Sequence, residues 1–237
     1  MDKAQPFSWF DEARIEEEHD EIVYRVPELK EHVLIVRRAL DLLHVTLRRQ
    51  PYEGDDEALV ILRLAARLFN TTGAALKLAR AGYFQTSFTM VRDILEMEFL
   101  ADLFCRDRNY LQRWIKIDAK ARKREFKQVT IRDKLDQLDG LKEKKRAKAY
   151  ELLSTHAAHA DPNGFQVISP GDMTQIGPFP SEGVLTAFFQ ELSRHLQMAC
   201  IHVFTLLQPA DPEILNVKRN FEEVLTCWRR KYVPVIV

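Results

Sequence analysis

The stretch FQTSFTMVRDILEMEFLADLFC, residues 84–105, decides the fold class. Its large apolar side chains recur every three or four residues, which places them on one face of an α-helix. Those residues are Phe88, Val91, Leu95, Phe99 and Leu103. The spacing predicts a helix from about Phe84 to Cys105 that buries this stripe.

The same helical period continues on both sides of this stretch. Pro27, Ser181 and Asp211-Pro212 are residues that favour helix starts, and Gly82 follows the preceding segment where a C-terminal cap is expected. Together the segments predict an all-α, up-and-down bundle of about six or seven helices. The predicted helical segments cover residues 28–50, 55–81, 84–105, 107–140, 142–160, 181–208 and 212–228. One domain is expected over 1–237, with 1–27 as an acidic N-terminal arm and 28–237 as the bundle.

One region departs from the helical period. Residues 161–183, DPNGFQVISPGDMTQIGPFPSEG, hold four of the ten prolines and four of the eight glycines. Within them, Phe165–Ser169 and Met173–Gly177 flank Pro170-Gly171-Asp172, a pattern typical of two short strands joined by a turn. A short hairpin-like insertion is therefore predicted near 163–180.

Small residues fill the middle of the segment that ends at Ala81. The run Asn70-Thr71-Thr72-Gly73-Ala74-Ala75 offers little side-chain bulk. Such a run predicts a close crossing of two helices over Asn70–Ala75, and a larger side chain at Gly73 is expected to be destabilising.

The charge is balanced overall but unevenly placed. The formal net charge is zero, yet residues 1–35 hold ten acidic and four basic side chains, and residues 116–148 hold thirteen basic and six acidic ones. The basic stretch predicts either a solvated helix face or a surface that faces phosphates. The candidate RNA-binding residues are Lys120, Arg122, Lys123, Arg124 and Lys127.

The cysteines, the N-terminal residues and the length of the apolar runs indicate where in the cell the protein is located. The three cysteines are far apart, with no CxxC pair, which favours a reducing compartment. Residues 1–21 are acidic without an apolar core, unlike a signal peptide, and no long apolar run predicts a membrane span. A cytoplasmic protein without membrane contact is expected, with RNA and a second copy of the chain as the candidate partners.

Two polar groups are candidate functional residues. Arg92 and Glu96, four apart, border the apolar stripe of their helix, and His156 and His159 lie three apart in LLSTHAAHADPNGF, residues 152–165. We expect His159 to end its helix before Asp161-Pro162 and to point toward Arg92 or Glu96, with His156 nearer solvent. A structural salt bridge and a helix-capping histidine are the alternative interpretations.

A further group of residues could in principle bind a metal ion. Glu191, His195 and His202 share one face of the helix over 181–208 and could contribute to a carboxylate–histidine cage with the two histidines above. Diiron proteins of this architecture carry Glu-x-x-His on two helices, and the sequence has no such motif. The sequence therefore predicts no metal and no cofactor.

The stretch RAGYFQTSFTMVRDILEMEFLADLF resembles the core helix of a bacterial all-α family designated domain of unknown function 5677. The matching residues are Arg80, Gly82, Arg92 and Glu96, followed by the helix end with Leu153, Ser154 and His159, and the resemblance covers about residues 55–208. That family loosely resembles the HEPN superfamily of helical ribonucleases, toxins and abortive-infection proteins, which act on RNA without metal and use an Arg-x4–6-His motif. This spacing occurs at Arg14–His19, Arg25–His32 and Arg37 or Arg38 with His44.

Two functions compatible with this resemblance are expected. The first is a binding or interaction module with a buried Arg-Glu-His network, linked to phage defence or the stress response. The alternative is a HEPN-like, metal-independent ribonuclease with Arg92, Glu96, His156 and His159 as candidate catalytic residues. There an imidazole would take the 2′-hydroxyl proton and an arginine would steady the phosphate.

Overall fold

The structure, a computed structural model, describes residues 9–155, 162, 164–169 and 173–233. These residues form ten α-helices and one 3-10 helix, Gly164–Ile168, and contain no strand. The α-helices are α1 Glu12–Arg25, α2 Pro27–Arg49, α3 Asp56–Arg80, α4 Phe84–Arg106, α5 Arg108–Lys116, α6 Ala119–Glu125, α7 Gln128–Leu138, α8 Lys145–Leu153, α9 Glu182–Leu207 and α10 Pro212–Tyr232.

The all-α prediction is confirmed, but the expected six or seven helices are too few. The single helix expected from Asp107 to Gly140 is divided into α5, α6 and α7. Asp118 stops the helical path and caps α6, because its side chain accepts hydrogen bonds from the backbone N–H groups of Lys120 and Ala121. Lys127, with extended backbone, separates α6 from α7. The region is basic and has few apolar residues, so the capping residues determine where each helix begins and ends.

Helix α4 lies at the centre of the bundle. It packs against α3 and α9, and also contacts α5, α7 and α8. Val91 and Leu95 of the predicted stripe are fully buried, and so is Ile94, which the prediction did not include. Burial of such a side chain contributes roughly 1.5–3 kcal/mol, which explains why the apolar period fixed the position of this helix.

The acidic N-terminal stretch belongs in part to the helical body. Glu16 and Asp20 of α1 form ion pairs with Arg80 at the end of α3. Between them, the buried ring of His19 donates from Nδ1 to the carbonyl of Arg80, 2.7 Å away, and accepts at Nε2 from the backbone N–H of Ser181 at 3.1 Å. Helix α1 therefore joins the end of α3 to the start of α9.

The predicted hairpin is wrong for the residues that the structure describes. A 3-10 helix, Gly164–Ile168, takes the place of the expected strand Phe165–Ser169, and residues 173–181, which include the second expected strand, have no regular structure. Gln175 N–H still donates to the Ile168 carbonyl at 2.8 Å, so the two segments approach each other as predicted without forming a ladder. The expected turn at 170–172 lies outside the described residues.

Gly82 holds this irregular segment against the bundle. Its φ of +86° is a conformation that favours glycine, and it ends α3 as predicted. A Cβ atom built at Gly82 would lie 2.7 Å from the backbone of Phe179, so any side chain there would displace the segment before α9.

The prediction that Gly73 lies in a close helix crossing is wrong. Gly73 is exposed, and a Cβ atom there would have no neighbour within 4 Å. The buried small residues of this run are Thr72 and Ala75, on the opposite side of α3. The run is small on both faces, so its composition alone did not show which face meets a neighbour.

Helix α3 is, among the described residues, the one helix long and apolar enough to cross a membrane, judged by length and composition alone. Core helices of helical bundles meet the same criterion. In this fold α3 packs against α4 and α9.

Candidate functional site

The predicted pair on α4 is formed. Arg92 Nη2 lies 2.9 Å from Glu96 Oε1, and both side chains are about one quarter exposed, at 23% and 27%. Their third partner is Tyr150 of α8, whose hydroxyl accepts from Arg92 Nη2 and donates to Glu96 Oε1 at 2.9 Å. The tyrosine hydroxyl supplies the additional hydrogen bonds that a partly buried ion pair needs.

A fourth residue, Arg132 of α7, completes this group. Its guanidinium lies 3.9 Å from the centre of the Tyr150 ring, and that of Arg92 lies 4.8 Å from the same centre. Arg132 Nε and Nη1 and Arg92 Nε are buried, and none has a hydrogen-bond partner in the described part of the chain. We call Arg92, Glu96, Arg132 and Tyr150 the open cluster.

Arg132 and Tyr150 were not predicted as site residues. Each lies three residues before a buried leucine, Leu135 or Leu153, and so on the inward side of its helix. A polar side chain at an inward position is the signal that could have identified them.

The predicted histidines, His156 and His159, lie outside the described residues. The expected contact of His159 with Arg92 or Glu96 stays a prediction. Leu153 and Ser154, which precede them, are buried, and Ser154 Oγ has no hydrogen-bond partner among the described residues.

A second charged group joins the same three helices. Arg146 of α8 lies 2.8 Å from Asp136 and 2.5 Å from Asp139, both near the end of α7, and 3.5 Å from Asp102 of α4. Arg106 of α4 lies 2.8 Å from Asp102 and 2.7 Å from Asp139. Burial opposes ionisation of Asp139, but the two arginines outweigh it and hold its pKa below the ordinary value. We call these five residues the closed cluster.

Four of the five candidate RNA-binding residues are exposed. Lys120, Lys123 and Lys127 make no ion pair with a described residue, while Arg124 lies 3.3 Å from Glu125. They form, with α6, a basic surface that leads into α7.

Arg122 differs from the other four candidates. Its guanidinium donates to the carbonyls of Trp114 and Ile117, both at 2.7 Å, and lies 4.9 Å from the centre of the Trp114 ring. It thereby satisfies carbonyl groups at the end of α5, which a helix leaves without internal partners. Its contacts are structural.

The residues considered for a metal form a charged group instead. His195 Nδ1 lies 2.7 Å from Glu98, and its Nε2 lies 3.4 Å from Glu191. Burial disfavours the imidazolium, but the two carboxylates outweigh it and raise the pKa of His195 to about 9. Burial lowers the pKa of His202, which joins neither carboxylate in an ion pair. The described residues contain no group of three or more His, Cys, Asp or Glu that could hold a metal ion.

The Arg-x4–6-His pairs do not form a common site in the described part of the chain. Both ring nitrogens of His19 are engaged, as described above. His32 is buried and accepts at Nδ1 from Trp228 Nε1 at 2.9 Å, with Nε2 3.5 Å from Glu28. Burial lowers the pKa of both histidines. His44 is exposed and lies against the ring of Phe69.

No family model, no curated protein and no solved structure matches the chain.

Proposed function

We propose that the protein is a non-catalytic binding module that holds the phosphate backbone of an RNA strand at the open cluster and along the basic surface of α6. The observation that carries the proposal is Arg132, whose buried Nε and Nη1 have no hydrogen-bond acceptor among the described residues. A buried donor without an acceptor costs about 1–3 kcal/mol, so an anionic oxygen placed there would be favoured.

The charge of the open cluster supports an anionic ligand. The cluster holds two guanidinium groups, those of Arg92 and Arg132, and one carboxylate, that of Glu96, which Arg92 and Tyr150 already engage. Arg38 and Arg229 each have one buried Nε without a partner among the described residues, but Arg132 is the described arginine with two such atoms. The planar fork of a guanidinium matches the oxygens of a phosphate.

The position of Arg132 supports a polymer rather than a single anion. Lys127 precedes α7, and Lys120, Lys123 and Arg124 lie on α6 just before it. Exposed cations in one continuous stretch of chain provide the sequence-independent phosphate contacts that dominate nucleic-acid affinity.

Binding is favoured over cleavage by the state of His19 and His32, the two buried histidines of the Arg-x4–6-His pairs. Cleavage through the 2′-hydroxyl needs a base within hydrogen-bond reach. His19 and His32 are engaged in structural hydrogen bonds, and Tyr150 is engaged with Glu96. The cleavage assay below therefore includes His156 and His159.

The first experiment measures fluorescence anisotropy of a labelled single-stranded RNA titrated with the protein at several salt concentrations. We expect saturable, salt-dependent binding, weakened about tenfold by the double change Lys123→Gln and Lys127→Gln. Arg219→Gln, an exposed arginine of α10 without an ion pair to a described residue, is the matched control and should bind like the wild type. Absence of salt-dependent binding by the wild type would refute the proposal.

The same RNA, recovered and run on a denaturing gel, should be intact. RNA cleaved by the wild type but not by His159→Ala or His156→Ala would favour the ribonuclease alternative and overturn the non-catalytic role.

A further inference from the structure

A cavity of about 330 Å³ lies between α3, α4, α5 and the start of α7. Its apolar lining includes Leu64, Leu100 and Trp114. Trp114 is half-buried; its ring packs edge-to-face with that of Phe104, and the guanidinium of Arg122 lies over its ring. These contacts fix the indole, so the apolar wall is formed before any ligand arrives.

The charged groups at this cavity are mostly neutralised within the protein. Arg67 and Asp93 form a two-point ion pair, at 2.5 and 3.2 Å, and Glu96 is engaged by Arg92 and Tyr150. Arg63 is different, because it is exposed and makes no ion pair with a described residue. The surplus charge at the rim is therefore one cation.

The cavity also has an unused hydrogen-bond acceptor. Gln128, the first residue of α7, lines it, and its Oε1 is buried without a donor among the described residues. Buried polar atoms are nearly always satisfied, so a ligand donor is a natural partner for this oxygen.

We infer that this cavity binds a small planar apolar acid that carries an N–H or O–H donor. The ring system lies against Leu64, Leu100 and Trp114, the acidic group pairs with Arg63, and the donor reaches Gln128 Oε1. Ligand pockets usually measure about 300–1,000 Å³ and combine apolar walls with a few polar groups, so a ligand of one or two fused rings fits this volume. The inference does not depend on RNA binding, because only Glu96 belongs to both sites.

Indole-3-acetate is a suitable probe, since it has a planar apolar body, a carboxylate and one N–H donor. Its addition to ¹⁵N-labelled protein is followed by the NMR signals of the Trp114 indole and the Gln128 side-chain amide, assigned with Trp114→Phe and Gln128→Glu. We expect both signals to shift in a saturable manner, while those of Trp9 and Trp228 do not.

Three variants separate the contacts. Arg63→Gln should raise the dissociation constant about tenfold, the loss of one ionic contact, whereas Arg219→Gln should leave it unchanged. Leu100→Trp should abolish binding by filling the cavity while RNA affinity is kept. With 3-methylindole, which lacks the carboxylate, wild type and Arg63→Gln should bind equally.

Failure of the inference is distinct from failure of RNA binding. An absence of saturable shifts at Trp114 and Gln128, or an unchanged dissociation constant in the surface variant Arg63→Gln, would overturn it whatever the RNA result. Because Arg63 is exposed, its substitution tests the inference even if Leu100→Trp does not fold.

Discussion

The open and closed clusters are built on the same three helices, yet they balance their charges in opposite ways. The closed cluster has two arginines for three aspartates, Asp102, Asp136 and Asp139. The open cluster has two arginines for one glutamate, and its other partner is a tyrosine. Each carboxylate of the closed cluster is paired with an arginine of the chain, which is typical of a structural group, whereas a guanidinium without a counter-charge among the described residues indicates a place for a ligand.

The largest expected difference between the two clusters is in stability. Arg146→Met removes a cation that pairs with all three carboxylates of the closed cluster, and the Arg146 side chain is only 16% exposed. We expect the free energy of unfolding to fall by about 3–5 kcal/mol, the usual cost of breaking a buried ion pair. Urea unfolding followed by circular dichroism measures it.

Arg132→Met is the matched variant of the open cluster. This change leaves no carboxylate without its cation. The free energy of unfolding should therefore fall by no more than about 1 kcal/mol, the value of a cation–π contact. Equal losses in the two variants would show that Arg132 is as structural as Arg146, and the distinction between the clusters would fail.

A smaller effect is expected when the tyrosine hydroxyl is removed. Tyr150→Phe takes one partner each from Arg92 and Glu96 but leaves them paired with each other. The free energy of unfolding should fall by about 0.5–1.5 kcal/mol, as for a single hydrogen bond. Tyr24→Phe, at a tyrosine that is 78% exposed, is the control and should have no effect. A loss several times larger would mean that the hydroxyl anchors the fold.

The smallest expected effect is on the way stability changes as the pH falls. The pKa of Asp139 is lower in the folded protein than in the unfolded chain, so its stabilisation is complete above the ordinary carboxyl pKa of about 4 and is lost as the pH falls through the lowered value. Asp139→Asn should therefore flatten the decline of stability between neutral pH and acid. Arg132→Gln, which removes no carboxylate contact, should leave the slope of the wild type unchanged; the same flattening in both would contradict the comparison.

The long helices could be predicted from the sequence because apolar period and caps act locally. Ser181 and Asp211 cap α9 and α10 with their side chains, as their positions indicated. The break at Asp118 was missed because an aspartate inside a charged stretch looks the same whether it caps a helix or faces water. The irregular segment around Gly164 has the composition of a hairpin but lacks a partner ladder.

The site could be predicted only in part. Arg92 and Glu96 are four residues apart on one helix, so their pairing follows from helical geometry. Tyr150 is 58 residues from Arg92, and no local pattern states which helices pack together. Arg132 looked like one of many cations in the basic stretch, and only the packing of α7 beside α8 distinguishes it from Lys123 or Lys127.

The most direct test of the central claim is the salt dependence of RNA affinity for the wild type, Arg132→Gln and Arg219→Gln. If Arg132 holds a phosphate, Arg132→Gln should weaken binding about tenfold at low salt and reduce the slope of log affinity against log salt by about 0.7, the value for one contact on a single strand. Arg219→Gln should reproduce the wild-type slope. Identical affinity and slope in Arg132→Gln and the wild type would contradict the account.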